Sequence, residues 1–165
     1  MSGLSVRTAT TDDLPTVQAL VNESWQRTYS AFVDAALIDE AIQDRHAAKL
    51  LHDQWIVDPE LFLVAEREGD IVGHTYAFAG EDGYYLDRLH VSPTAKRGGI
   101  GAALMDEIER RALARGVQRI SLEVMERNEP AVRFYFNRGY RTFARREACG
   151  ATLPSPSLMV EKQLS

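Results

Sequence analysis

The tightest constraint on how this chain can fold is a strand, a glycine turn and a helix in immediate succession over residues 86–115. Leu86-Asp87-Arg88-Leu89-His90-Val91 alternates, with Leu89 and Val91 on one face and Arg88 and His90 on the other, which predicts a strand that Ser92-Pro93 ends. Lys96-Arg97-Gly98-Gly99-Ile100-Gly101-Ala102 follows. Beyond it Ile100, Leu104, Ile108 and Ala112 recur at every fourth residue, with Met105 and Leu113 beside them, so an amphipathic helix runs to Gly116. A glycine turn at a helix N-terminus leaves backbone N–H groups without partners at the positive end of the helix dipole, a setting that suits phosphate. Glycine has no Cβ to hold phosphate oxygens off the backbone, and it tolerates positive φ. The spacing departs from the P-loop of nucleotide hydrolases, which needs Lys-Ser/Thr after its last glycine, and from the dinucleotide fingerprint.

A chain of 165 residues with 45% hydrophobic and 26% charged content predicts one compact domain over residues 1–165. The net charge of -5 argues against general binding to nucleic acid or anionic membrane and favours a cationic partner. No apolar run reaches membrane-spanning length, and the first residues lack a basic segment followed by an apolar core, so a cytoplasmic protein is expected. The single cysteine, Cys149, has no partner for an internal disulfide and reads as an incidental thiol. No Cys/His cluster has zinc spacing, so no metal is expected.

Taken from the start, residues 4–9 alternate as a first strand. Thr10 or Thr11 then caps a helix with Leu14, Val17, Leu20, Val21 and Trp25 on its apolar stripe; Trp25 and Tyr29, four apart, share a face and either fill the core or line a pocket. A second helical region spans 34–55, with His46 and His52 among polar neighbours. Residues 61–66 and 71–79 predict two strands joined by Arg67-Glu68-Gly69-Asp70, with His74 in the second strand facing solvent or a hydroxyl. Past the central helix, 117–125 reads as a strand reached through a helical crossover and hence parallel to its neighbour. Asn128 caps a short helix with Pro130 in its first turn and Ala131, Phe134 and Tyr135 on one side; strands at 140–146 and 157–162 close the chain.

Two separated stretches carry a resemblance. Leu86-Asp87-Arg88-Leu89-His90-Val91-Ser92-Pro93, with Lys96-Arg97-Gly98-Gly99-Ile100-Gly101-Ala102-Ala103-Leu104, resembles the acetyl-CoA motif of Gcn5-related N-acetyltransferases. Asn128-x-x-Ala131-x-x-Phe134-Tyr135-x-x-x-Gly139-Tyr140 is similar to the same family's second signature, and the order of elements fits over essentially the whole chain. Lys96 stands where the family usually has Arg or Gln, which keeps the charge but loses the planar fork.

The resemblance implies an α+β, three-layer α/β sandwich: a mixed, largely antiparallel sheet of about seven strands flanked by four helices. It implies acetyl-CoA as co-substrate, with the pantetheine arm along Leu89, His90 and Val91 and the pyrophosphate among Lys96, Arg97, Gly98, Gly99, Ile100, Gly101 and Ala102. Asn128, Ala131 and Tyr135 complete that side. Tyr135, at the matching family position, is the expected acid for the CoA thiolate. Asp87 is the nearest carboxylate for a general base, with Glu123 the second choice. Trp25 and Tyr29 are expected against the acceptor, a primary amine of a small molecule, polyamine-like on the strength of the acidic charge, or of a peptide. A non-catalytic acyl-CoA-binding sensor is the alternative, and exposed strand edges near the C-terminus leave a homodimer open.

Overall fold

The computed structural model describes residues 3–95, 98–148 and 153–165. Its strands are β1 (Leu4–Thr8), β2 (Phe62–Arg67), β3 (Asp70–Ala79), β4 (Tyr84–Val91), β5 (Arg119–Met125), β6 (Arg141–Arg146) and β7 (Ser157–Gln163). The helices are α1 (Leu14–Tyr29), α2 (Ala35–Arg45), α3 (Ala48–Val57), α4 (Ile100–Ala114) and α5 (Glu129–Asn137). The strands form one sheet in the order β1-β2-β3-β4-β5-β7-β6, antiparallel throughout except for the parallel β4–β5 pair, as the helical crossover between them requires.

Alternation along β2 sets the layers. Leu63 and Ala65 join Ile100, Leu104, Met105 and Ile108 of α4 in the larger core. Phe62 and Val64, on the other face, pack with Val17, Leu20 and Val21 of α1. A third cluster ties Trp25 of α1 to Ile38, Ala41 and Ile42 of α2 and to Met125 at the end of β5. Asp13 turns the chain into α1 by accepting the Thr10 N–H at 2.8 Å, so Thr10 is the capping threonine.

The helical region expected over 34–55 divides, giving five helices among the described residues where four were expected. The break falls at His46-Ala47, where the backbone leaves the helical region (His46 φ -118°, Ala47 ψ 141°). His46 is 1% exposed, not a solvated polar residue. Its Nδ1 lies 2.9 Å from Asn22 Oδ1, its ring meets Trp25 edge-on, and Gln18 donates to its carbonyl at 2.9 Å. Burying that ring outweighs the modest gain of continuing the helix.

Strand β4 carries an irregularity that simple alternation does not reveal. Ala77 pairs with Leu86 and Tyr76 with Arg88, which leaves Asp87 as an extra residue, a β-bulge. It reverses the facing pattern partway along, so Tyr84, Leu86, Leu89 and Val91 all turn toward the α4 core while Arg88 is buried on the α1 side. The parallel pairing with β5 stops at the same point, with only Tyr84↔Ile120 and Tyr85↔Ser121 in register. β4 and β5 part from there on.

Gly83 lets the two strands meet before they part. It has φ +147°, and a Cβ there would lie 2.3 Å from the Arg119 carbonyl oxygen. We expect Gly83→Ala to cost about 2–4 kcal/mol, since backbone atoms cannot yield as a flexible side chain would. Gly69→Ala in the β2–β3 turn, at φ +85° with open space around it, should cost only about 1–2 kcal/mol from the backbone conformation. Urea denaturation of the two variants checks the difference.

Candidate active site

The parting of β4 and β5 opens a cavity of about 710 Å³. One wall is β4 from Asp87 to Val91, and the opposite wall is Leu122, Glu123 and Val124 of β5 with Asn128, Ala131 and Tyr135 at the start of and along α5. Gly99, Ile100, Gly101 and Ala102 close one end, and Trp25 and Tyr29 of α1 close the other. Most of the residues singled out from sequence, Asp87, Glu123 and Tyr135 among them, thus surround one space; Gly98 is not among its lining residues, its carbonyl accepting from Arg67 Nη2 at 3.2 Å. Lys96, Arg97 and Cys149 lie outside the described residues.

At the glycine end, Gly99 takes the cap position of α4 in the left-handed region (φ +70°, ψ 18°), with nothing within 4 Å of a Cβ built on it. The Ala103 N–H is taken by the Gly99 carbonyl at 3.0 Å, while those of Ile100, Gly101 and Ala102 belong to the first turn, which has no earlier carbonyl to bond. Helix geometry therefore leaves a set of donors at the cavity mouth, a setting that suits an anion. Along β4, the edge beyond Tyr85 faces β5 without a strand partner among the described residues. An extended amide-containing chain can bond to such an edge as an added strand does.

Asn128 stands at the first position of α5, but its side chain makes no capping bond. Its carbonyl accepts the Val132 N–H at 3.0 Å, and the residue lines the cavity. Tyr135 is 7% exposed and meets Phe134 and Tyr140 edge-on, at 5.2 and 5.6 Å between ring centres. Burial pushes its phenol well up from the ordinary value, and nearby Tyr29 adds to the rise. Such a phenol keeps its proton throughout the physiological range.

The aromatic end holds what sequence reasoning missed. Trp25 and Tyr29 do meet, edge to face at 5.0 Å. Arg45, the last residue of α2, lays its guanidinium over the Trp25 ring at 5.3 Å, and Arg88 lies beneath the cavity, 3% exposed. Arg88 is held between Phe62 and Tyr76 and donates to His74 Nε2 at 3.2 Å and Gln54 Oε1 at 2.8 Å. Asp87 is shared by both arginines, with Arg45 Nη2 at 3.3 Å from Oδ1 and Arg88 Nη1 at 3.4 Å from Oδ2. Ser24 adds a hydroxyl 2.8 Å from His90 Nδ1. On the other wall Glu123 accepts from the Ser157 hydroxyl.

His74 corrects an expectation: it is fully buried, not turned to solvent, with Nδ1–H donating to the Leu63 carbonyl at 2.9 Å. Only a neutral ring can donate there and accept from Arg88 at its other nitrogen. Burial first, then Arg88, holds His74 well below its ordinary pKa; the same causes bring His90 down to about 3 and His46 to about 2. Arg45 and Arg88 were invisible as site residues because an arginine beside an aspartate in an alternating strand, or at the end of a polar helix, reads as a solvated cation.

Residues 18–140 match the acetyltransferase (GNAT) family, and the chain belongs to that family. A protein of Azospirillum brasilense named IAA acetyltransferase is 36% identical over 134 residues, which cover 77% of this chain and 86% of its own length. An acetyltransferase of Pectobacterium atrosepticum is 40% identical over 90 residues, 52% of this chain, and the match spans 60% of that relative's length. Among solved structures, PaiA N-acetyltransferase from Thermoplasma acidophilum in complex with coenzyme A superposes with a TM-score of 0.87 at 22% identity, covering 99% of each chain. Ribosomal-protein-alanine N-acetyltransferase from Brucella melitensis does so with 0.75 at 24% identity, covering 97% of this chain and 99% of its own.

The neutral histidines make the site's surroundings acid-sensitive. An unfolded imidazole takes its proton near pH 6.5, so the unfolded state binds more protons than the folded one below that pH. Stability should be full above pH 6.5 and fall on acidification by up to about 1.4 kcal/mol per pH unit for each such histidine. Urea midpoints at pH 7.5 and 5.5 measure the fall, and His46→Gln, which removes one titrating ring, should make it shallower.

Proposed function

We propose that this protein is an acetyl-CoA-dependent N-acetyltransferase that moves the acetyl group to a primary amine of a small molecule or peptide by direct attack. The carrying observation is the gap between β4 and β5, which has the donors of α4 at one end, a bare β4 edge along its side and Tyr135 in the facing wall. Acetyl-CoA brings a thioester already activated toward amines. Its phosphates suit the N–H groups from Ile100 to Ala102, and its amide-bearing arm suits the backbone of Leu89 to Val91.

The amine nitrogen forms a bond to the thioester carbonyl carbon, the C–S bond breaks, and the sulfur leaves with the electron pair. A backbone N–H beside Val91 stabilises the developing oxyanion, and Tyr135 gives its proton to the departing sulfur. Asp87 is the candidate for taking the proton the amine gives up, with Glu123 on the opposite wall as the second. No acyl group rests on the protein at any point. Trp25 and Tyr29 bound the acceptor's end of the gap.

The donor half is tested by Gly101→Glu. A Cβ there meets Phe134 at 3.5 Å and Val91 at 3.9 Å, both ordinary contacts, so the variant should fold, while its carboxylate faces the phosphates and should weaken CoA at least about 100-fold by calorimetry. Unchanged affinity would place the phosphates elsewhere. The chemical half is tested by Tyr135→Phe in a thiol-release assay over an amine panel. Loss of general acid catalysis should slow turnover about 100-fold or more with CoA affinity retained. Because burial raises the phenol above its ordinary value, Tyr135 should contribute no alkaline loss of activity up to about pH 10. Tight CoA binding by the unmutated protein with no turnover on any amine would favour a non-catalytic acyl-CoA sensor.

A further inference from the structure

The acceptor end of the cavity holds more positive charge than its neighbours cancel. Arg45 and Arg88 share a single carboxylate, Asp87, and neither contact is short, at 3.3 and 3.4 Å. Arg88 gives two further donors to His74 and Gln54, which are neutral partners. His46, His74, His90 and Tyr76, the other titratable groups packed around the pair, supply no negative charge near neutral pH. Glu123, the remaining acidic residue of the wall, stands on β5 and accepts from Ser157. A partly buried cation with only part of a counter-charge gains when an anion arrives.

Arg45 is the member of the pair that can meet one. Its side chain is 35% exposed where that of Arg88 is 2%, and it lines the cavity. The Trp25 ring beneath it fixes the plane of its guanidinium. A planar guanidinium with open donors presents the fork that a carboxylate fills with two parallel hydrogen bonds. Ser24 and Thr28, one turn apart on α1, border the same space with hydroxyls.

We infer that the acceptor is a small amine that also carries a carboxylate, an amino acid in the broad sense, and that Arg45 over Trp25 is the residue that selects it. This rests on the acetyltransferase reading above and narrows the acceptor within it. The overall charge of -5 pointed toward a polycation, but the charge that a bound acceptor meets is local, and there it is cationic. The site would hold the carboxylate at Arg45 and leave the amine free to reach the thioester.

The test is a thiol-release panel of α-, β- and γ-amino acids, their carboxamides, the matching decarboxylated amines, and spermidine. The unmutated protein should favour at least one free acid over its carboxamide by about tenfold or more in kcat/KM, the worth of a charge-assisted hydrogen bond. Arg45→Gln should erase that preference chiefly through KM, and Arg45→Lys should restore part of it. Equal or better turnover of carboxamides, decarboxylated amines or spermidine overturns the inference while leaving the acetyltransferase reading intact. If no amine is turned over, that reading fails instead. Calorimetry with CoA present then decides the site, since binding of a free acid that Arg45→Gln abolishes supports it and no binding of any free acid refutes it.

Discussion

Strands β4 and β5 run parallel for two residue pairs, and then the extra residue Asp87 bends β4 off the shared path. In a continuous sheet the N–H and C=O groups of both strands would be spent on each other. Here the edge of β4 beyond Tyr85 remains for something else, in the middle of a sheet where edges are normally absent. The bulge also turns Arg88 to the α1 side and keeps Leu89 and Val91 in the α4 core. One added residue therefore opens the cavity, supplies a bonding edge inside it and seats the cation beneath its Trp25 end. The sheet stays intact because β7 covers β5 along its whole length, from Arg119↔Gln163 to Met125↔Ser157.

Seating Arg88 there has consequences for everything it touches. A guanidinium with 3% of its surface exposed needs its donors satisfied, and the surroundings comply with Gln54 from α3, His74 from β3 and Asp87 from the bulge itself. Phe62 and Tyr76 flank its plane at 5.6 and 4.7 Å. Elements far apart in sequence are thereby fixed to one charged centre, and burial, with that charge second, keeps the adjacent imidazoles neutral. A polar cluster this deep costs stability compared with apolar packing of the same shape. What it contributes is a cationic floor to the Trp25 end of the cavity.

Most of the fold was legible because it rests on patterns that local sequence carries. The apolar residues of α4 repeat at helical spacing, those of β2 and β5 alternate, and Glu68-Gly69 marks a hairpin turn, so each of these elements falls within a few residues of its expected span. What escaped were places where tertiary packing overrides local preference. Nothing in residues 34–55 announces that the helix must stop at His46, since the reason is a ring bonded to Asn22 and packed on Trp25, some twenty residues earlier. The bulge at Asp87 is hidden for a similar cause: Tyr85 to Val91 alternates acceptably in either register, and only pairing with β3 decides where the extra residue falls.

The two ends of the cavity differed in the same way. The glycine end is built from backbone, and backbone that must approach a ligand needs glycine in a fixed order close together in sequence, which is what a motif is. The opposite end is built from side chains on separate elements. Ser24, Arg45 and Arg88 come from α1, α2 and β4, and no short stretch of sequence contains any two of them. Binding energy at the first end depends on peptide groups that every member of such a fold possesses, whereas at the second it depends on which side chain each helix or strand happens to present. Arg45 bonds to Asp87 at the bulge and stacks on Trp25, and it makes no contact with the glycines at the other end, so a substitution there changes the charge at one end of the cavity and leaves Gly99 and Gly101 as they are. The same separation explains why a resemblance strong enough to identify the donor left the acceptor to be read from the charges that the structure assembles around Trp25.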